Sequence, residues 1–507
     1  MGDQRSGRYT FLHDLLADAC TRGVVERQRQ RIHEVTARLL ELRAPSGAEA
    51  IAAHYHAAGL DTEAYRYAIT AADHAAQVFA HDAAMDALHV AQRYAPSAVD
   101  LALVRARHAQ TAHDAGRYEL AEELCDLALE WFVAAGDESR TIAVRRLRAQ
   151  VRVRRGAAPQ RALDALHTML ASAEGALDRE ERAATLLAAA EVSASLADWS
   201  RAASLARKAT DIIGDRGAPA IVGNAWRLLG ISRYATAPAE SMALLREAID
   251  RLGASGDRLG EARARVALGE AYLRAGHATH AEQALSVALD TARGAHSAPI
   301  AAVVSRSLAE LRARQGAFDE AAQWLGDADR LFTALGDQPE RLRTTLTRAH
   351  VARDRGDRVR AFALYDSASA DARALEVPWI ELTALAGCAL SNGGPDAAST
   401  RERWARANTL IAGARSDWWF PGREMLDALA LQMALSAGHN GVAFDMFARS
   451  SRVLDAVEPY AAAWLVAECG DVLGAAGFPA IAEARRLATE RVSAMHFAPL
   501  APRLGSS

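Results

Sequence analysis

The feature that most limits how this chain can fold is a beat of 40 residues. Ala109, Ala121, Cys125 and Ala128 occupy four slots that Gly269, Ala281, Leu285 and Ala288 refill 160 residues later. The next two periods read Ala309, Ala321, Leu325, Ala328 and then Ala349, Ala361, Tyr365, Ala368. Leu431, Ala443, Phe447 and Ser450 fill the same slots near the end, after a slip of two residues. A fixed period of this length means one supersecondary unit stacked many times. Between the first and second slots lies a turn: Gly116-Arg-Tyr118, Gly276-His-Ala278, Gly316-Ala-Phe318, Gly356-Asp-Arg358 and Gly438-His-Asn440. A second turn, Gly-Asp, recurs at 136, 256 and 336, three and two periods apart. Each period therefore holds two helices of about 14 to 17 residues, broken at glycines free to take positive φ.

The small slots explain how such hairpins close. Gly269 or Ala309 on the first helix and Ala281 or Ala321 on the second let two backbones approach, while Leu285 and Leu325 fill the groove between units. The pattern predicts an all-α, right-handed superhelical solenoid of stacked helical hairpins. Gly269, Tyr272, Ala281, Leu285 and Ala288 resemble the tetratricopeptide repeat, and Trp226-x-x-Leu229-Gly230 resembles the opening of that repeat's first helix. A tetratricopeptide-like array stretched to about 40 residues per unit is similar to the region found in the maltose regulator MalT and in large LuxR-type regulators. The expected layout is a linker segment over 1–43, the array over 44–390, less regular repeats over 391–497 and a frayed tail over 498–507. Units near 156, 238 and 396 read as degenerate.

Composition excludes several classes. The 507 residues carry a formal charge of −4, not the basic footprint of a nucleic-acid binder. Lys208 is the sole lysine and Ala209 follows it, so no Walker A loop exists here. Arginine at every other basic position reads as coding bias. Cys20, Cys125, Cys388 and Cys469 are too scattered for a C-x-x-C pair or a disulfide framework, so reduced cysteines in a cytoplasmic protein are expected. No apolar run approaches a membrane span, and no membrane association is expected.

Candidate chemistry is sparse. His33-Glu34 begins like H-E-x-x-H, but Ala37 stands where the second zinc ligand belongs. His54 and His56 point to different helix faces, and one core and one surface histidine are expected. His277 and His280 straddle a turn with no carboxylate cluster beside them. No G-x-S-x-G elbow appears, and the expectation is no catalysis, no metal and no cofactor. Trp418-Trp419-Phe420, after the break at Ser391-Asn-Gly-Gly-Pro395, has two readings: aromatic anchors of an interaction surface, or large side chains that plug an irregular stack.

The N-terminus adds a second resemblance. Phe11-x-His13-Asp14-Leu15-Leu16, followed by Arg27, Arg29, Arg31, His33 and the stretch from Ala37 to Leu40, resembles the end of the winged-helix segment in signal-transduction ATPases with numerous domains (STAND proteins). Ile51-Ala-Ala-His54-Tyr55 and Gly59-Leu-Asp61 continue the likeness into the array. The resemblance implies that His13, supported by Asp14, reports nucleotide state when an ATPase domain is supplied. It also implies a non-enzymatic sensor and interaction module of a transcription regulator, without its ATPase and DNA-binding domains. The expected partners are a protein or peptide, or a small inducer, in the concave groove, with self-association as a further possibility and no direct nucleic-acid contact. The alternative is a free-standing tetratricopeptide scaffold.

Overall fold

The computed structural model describes residues 25–43, 47–172, 177–214, 217–391, 397–412 and 418–504. Among them every regular element is a helix, and the chain is an all-α array of stacked helical hairpins. The turns do what the beat requires. Gly276, Gly316 and Gly356 take φ of +83°, +84° and +88°, and Gly136, Gly256 and Gly336 lie between +67° and +75°. In the second series the next residue caps the following helix: Asp137, Asp257 and Asp337 accept from the backbone N–H of Arg140, Gly260 and Glu340. Two adjacent residues thus end one helix and start the next. His296 and Glu376 hold the same slot at φ of +49° and +55°, so the turn persists without glycine.

The repeated slots are buried: Ala281, Leu285, Ala288, Ala321, Ala328, Ala361, Tyr365 and Ala368 have no exposed surface. Gly269 cannot be enlarged freely, because a Cβ there would lie 2.7 Å from Leu285 Cγ. Units expected to be degenerate still form helices, over Pro159–Ser172, Pro238–Ala254 and Ala398–Ile411. In the first two, proline at the first helical position needs no N–H partner and sets φ for the turn.

By residue contacts the chain divides into two units. The first comprises residues up to Asp114 together with Glu123–Ala135. Its helices include Glu26–Arg43, Ala48–Ala57, Asp61–Gln77, His81–Arg93 and Ala98–Asp114. Ala37, Ile51, Tyr55, Ala64 and Tyr94 form one cluster, so the core runs through the boundary expected at 43. The outward face of the Glu26–Arg43 helix leaves Ile32, Val35, Leu39 and Leu42 exposed.

The second unit comprises Ala115–Glu122 and Gly136–Ser507. Its first helices run from Glu138–Arg154 through Arg179–Ser195, Pro219–Arg233, Arg258–Arg274, Ala298–Arg314, Gln338–Arg355, Pro378–Ser391 and Arg423–Ser436 to Pro459–Ala475. Each packs on the next of the series, whereas no comparable contact joins neighbouring second helices among the described residues. A curved double layer crowds its inner sheet of helices, so the first helices form the inner layer of this unit. After about five periods the array meets itself. Trp199 Nε1 donates to the Trp419 carbonyl at 2.7 Å, Trp379 Nε1 to Ser195 at 2.9 Å, and the Tyr234 hydroxyl to Val457 at 3.3 Å. The partners lie 184 to 223 residues apart, so successive coils of this unit touch directly. Residues 498–504, expected to fray, pack instead. Leu500 and Leu504 are buried, and Arg503 pairs with Glu468.

Candidate functional site

The inner layer of the second unit carries most of its buried charge. The C-terminal ends of the first helices share one slot at multiples of 40, which reads Arg154, Ala194, Tyr234, Arg274, Arg314 and Asp354, polar in all but one. Arg314 pairs with Glu310 at 2.6 Å and Glu458 at 2.7 Å, and lies over the Tyr460 ring at 4.7 Å. Arg274 reaches Glu458 at 3.7 Å and covers the rings of Tyr234 and Trp419. Arg154 meets Asp337 at 3.3 Å and Glu340 at 3.6 Å, and Arg306 joins Glu340 to Glu270. Arg353 pairs with Asp354 at 2.7 Å over the Trp464 ring, and the Tyr460 hydroxyl donates to Asp354 at 3.1 Å. Most of these links join helices remote in sequence. They form an ionic lattice that ties coil to coil.

Burial and neighbouring charge shift these groups in opposite directions. Burial works to raise the Glu310 carboxyl, but Arg314 and Arg274 outweigh it and hold it at about 2. Glu424 goes the other way: burial first, then the Glu458 charge, pushes it up to about 7. His350, beside Tyr365 at 2.8 Å, is pushed down to about 3 by burial and by Arg353. None of this constitutes an activated nucleophile. Burial pushes the Cys388 thiol up to about 12 and the Cys469 thiol higher still, the reverse of a reactive thiolate. Among the described residues no group of three or more His, Cys, Asp or Glu is placed to hold a metal. No described helix is long and apolar enough to cross a membrane.

The residues singled out from sequence fall in different places. His13 and Asp14 lie outside the described residues. Trp418 is half-buried with its Nε1 donating to Ala197 at 3.1 Å, while Trp419 and Phe420 are buried. Trp419 sits between Trp199 and Tyr234, with ring centroids at 6.2 and 5.3 Å. The trio therefore lies at the seam between coils. His33 and His54 meet through their Nδ1 atoms at 2.9 Å, and His56 is exposed against Tyr94. His277 and His280 cluster with Tyr272. A shallow cleft of about 210 Å³ lies among the Trp199–Ile213, Pro219–Arg233 and Pro238–Ala254 helices, with Trp226 and Leu229 on its apolar side and Arg207, Arg233 and Glu240 around it.

The lattice was not singled out from sequence, although a signal for it was present. Arg154, Arg274 and Arg314 recur in phase with the beat where a solvated helix end would tolerate any polar residue. Their carboxylate partners lie up to 186 residues away and share no local pattern with them.

The sequence matches no protein-family model and no curated protein. Among solved structures, it is similar to a chain of the APC/C hetero-tetramer Cut9–Hcn1, at 14% identity and a TM-score of 0.51 over 97% of this chain and 95% of that one. It is also similar to a Rap protein complexed with Competence and Sporulation Factor, at 15% identity and a TM-score of 0.50 over 71% of this chain and 99% of that one. A STAND protein with a tetratricopeptide repeat sensor from Pyrococcus horikoshii aligns at 12% identity over 79% of this chain and 55% of that one, but its TM-score of 0.36 carries no weight. These likenesses show a tetratricopeptide-type solenoid fold.

Proposed function

We propose that this chain is a non-enzymatic interaction module that takes a protein segment or extended peptide along the first-helix layer of its second unit. The observation that carries this reading is the inner layer itself, where successive first helices pack side by side and, next to the buried pairs, leave Glu191, Arg263 and Glu270 partly or fully exposed. Such a face offers orientation and specificity to an extended ligand, while the second helices supply the rigid backing. A Rap protein of similar fold is seen in complex with a factor, which is consistent with this use of the fold. The finer reading places the module in a STAND or LuxR-type regulator. It rests on the Phe11-x-His13-Asp14 resemblance, with His13 and Asp14 as the nucleotide-state sensor when an ATPase domain is supplied. A small inducer in the same groove and self-association are narrower versions of the same idea.

The test is selection of peptide ligands from a display library on the full chain. Binding should weaken when Ala267→Tyr adds bulk to the inner face and persist when Arg330→Gln alters an exposed second helix. Binding insensitive to Ala267→Tyr contradicts the reading. The aromatic trio is tested alongside. Trp418→Ala that destabilises the second unit assigns the trio to packing. Unchanged melting with lost peptide binding assigns it to the partner.

A further inference from the structure

We infer that Arg263, with Arg227 beside it, is a seat for a carboxylate of an acidic peptide laid along the inner layer of the second unit. This rests on the reading that the inner layer takes a partner, and it names the chemistry of one position on that layer.

The geometry starts from how neighbouring first helices meet. Contacts fall at residues about 36 apart, one helical turn short of the beat of 40. Glu191 meets Arg227 at 3.3 Å and Glu270 meets Arg306 at 3.6 Å, each pair 36 residues apart. One residue either side of that spacing, Arg146 reaches Glu181 at 2.9 Å and the Ser307 hydroxyl donates to Glu270 at 2.8 Å. Every one of these rungs joins opposite charges or a donor to an acceptor. Arg263 stands 36 residues after Arg227 and breaks the rule, because there a cation follows a cation.

Arg263 is exposed and makes no ion pair or hydrogen bond with any described residue. Its slot is otherwise filled by Ala143, Ala183, Gly223 and Val303, and by Arg343, which is paired with Glu340. Arg227 is buried and fixed, with Asn224 at 2.8 Å and Glu191 at 3.3 Å. Burial above all weakens the hold of Arg227 on its proton; Glu191 opposes this, and the charges of Arg263 and Arg154 add to it. A like-charge rung beside a desolvated guanidinium costs the folded state free energy, and a neutral residue in the slot would remove that cost. The accessible Arg263 guanidinium matches the planar, two-oxygen geometry of a carboxylate, and Arg227, buried and committed to Asn224 and Glu191, adds only its charge to that position.

The experiment uses the full chain, with fluorescein-labelled hexaglutamate as probe and fluorescence anisotropy and thermal melting as readouts. The wild-type chain should bind the probe in a salt-sensitive manner. Arg263→Gln should weaken binding at least about tenfold while leaving the melting temperature equal or higher. Arg263→Lys should keep most of the binding, and Arg330→Gln, on an exposed second-helix face, should keep all of it. Equal affinity in Arg263→Gln overturns the proposal. So does a melting temperature lowered by that substitution, because that is the behaviour of a structural contact. Displacement of the probe by millimolar inorganic phosphate would make the seat a phosphate site and overturn the peptide assignment. If display-selected peptides bind the inner layer but hexaglutamate does not bind, this seat fails and the broader reading stands.

Discussion

The two units are built from the same alternating helices, yet they bury different chemistry. In the first, the described core is alanine with larger aliphatic and aromatic side chains such as Leu88, Val104, Tyr55 and Phe132, and charge is kept to its edges, as in the exposed pair of Arg66 with Glu41. In the second, the helices close an apolar core layer by layer and then commit a further set of charged side chains to the inner face, where Arg314, Glu458, Arg353 and Asp354 are all nearly inaccessible. The difference teaches that a repeat supplies only its neighbour contacts. Where an array also returns onto itself, a second set of interactions is needed, and here that set is ionic. Its partners are selective in direction and distance, which suits a contact that must fix which coil residue meets which.

The comparison breaks most sharply at Arg314. Arg314→Ala leaves Glu458 and Glu310 without their main cation in a poorly solvated place, and a loss of roughly 3 to 5 kcal/mol is expected for the second unit. Amide hydrogen exchange should show protection falling in the Ala298–Arg314 and Pro459–Ala475 helices and holding in the Ala48–Arg93 region. Equal loss in both units would mean that the lattice does not belong to the second unit alone.

Acid should separate the units next. Burial above all pushes His108 of the first unit down to about 4, and burial and the His33 charge lower His54. The unfolded chain takes up these protons first. The stabilisation is therefore complete above about pH 6.5 and is lost as the pH falls towards 4, by an amount on the order of 2 to 3 kcal/mol for His108. His350 acts in the same direction in the second unit, but Glu424 opposes it. With its carboxyl raised to about 7, Glu424 contributes stability that is complete below about pH 4.5 and lost as the pH rises through 7. Exchange measured at pH 7 and pH 4.5 should show the first unit losing more protection than the second.

Smaller effects test the repeat itself. Gly269→Ala places a methyl 2.7 Å from Leu285 Cγ, and a cost of about 1 to 3 kcal/mol is expected from chemical denaturation. Glu376→Gly should act in the opposite sense, raising stability by a few tenths to about 1 kcal/mol, because Glu376 occupies a left-handed turn that glycine adopts without strain.

Much of this architecture was legible in the residues. The slots read from Ala109 to Ala368 are buried, and Gly136, Gly256 and Gly336 turn with the positive φ expected of them, because these features depend on neighbours within one period. His296 and Glu376 hide the same turn from any search for glycine. What could not be read are pairings whose partners lie several periods away. Nothing near Trp418 indicates that its indole will meet Ala197, 221 residues earlier, and nothing near Arg274 indicates Glu458. The tail from 498 to 504 is a more local case: Leu500 and Leu504 look like stray apolar residues until the Pro459–Ala475 and Ile481–Ala494 helices beside the tail are in place.

The most direct test of the inner layer as the binding face is a hydrogen-exchange footprint of a display-selected peptide on the full chain. New protection is predicted on the first helices Pro219–Arg233, Arg258–Arg274 and Ala298–Arg314, with the second helices Pro238–Ala254 and Ala278–Gly294 unchanged. Protection confined to the second helices, or to the first unit, would contradict it.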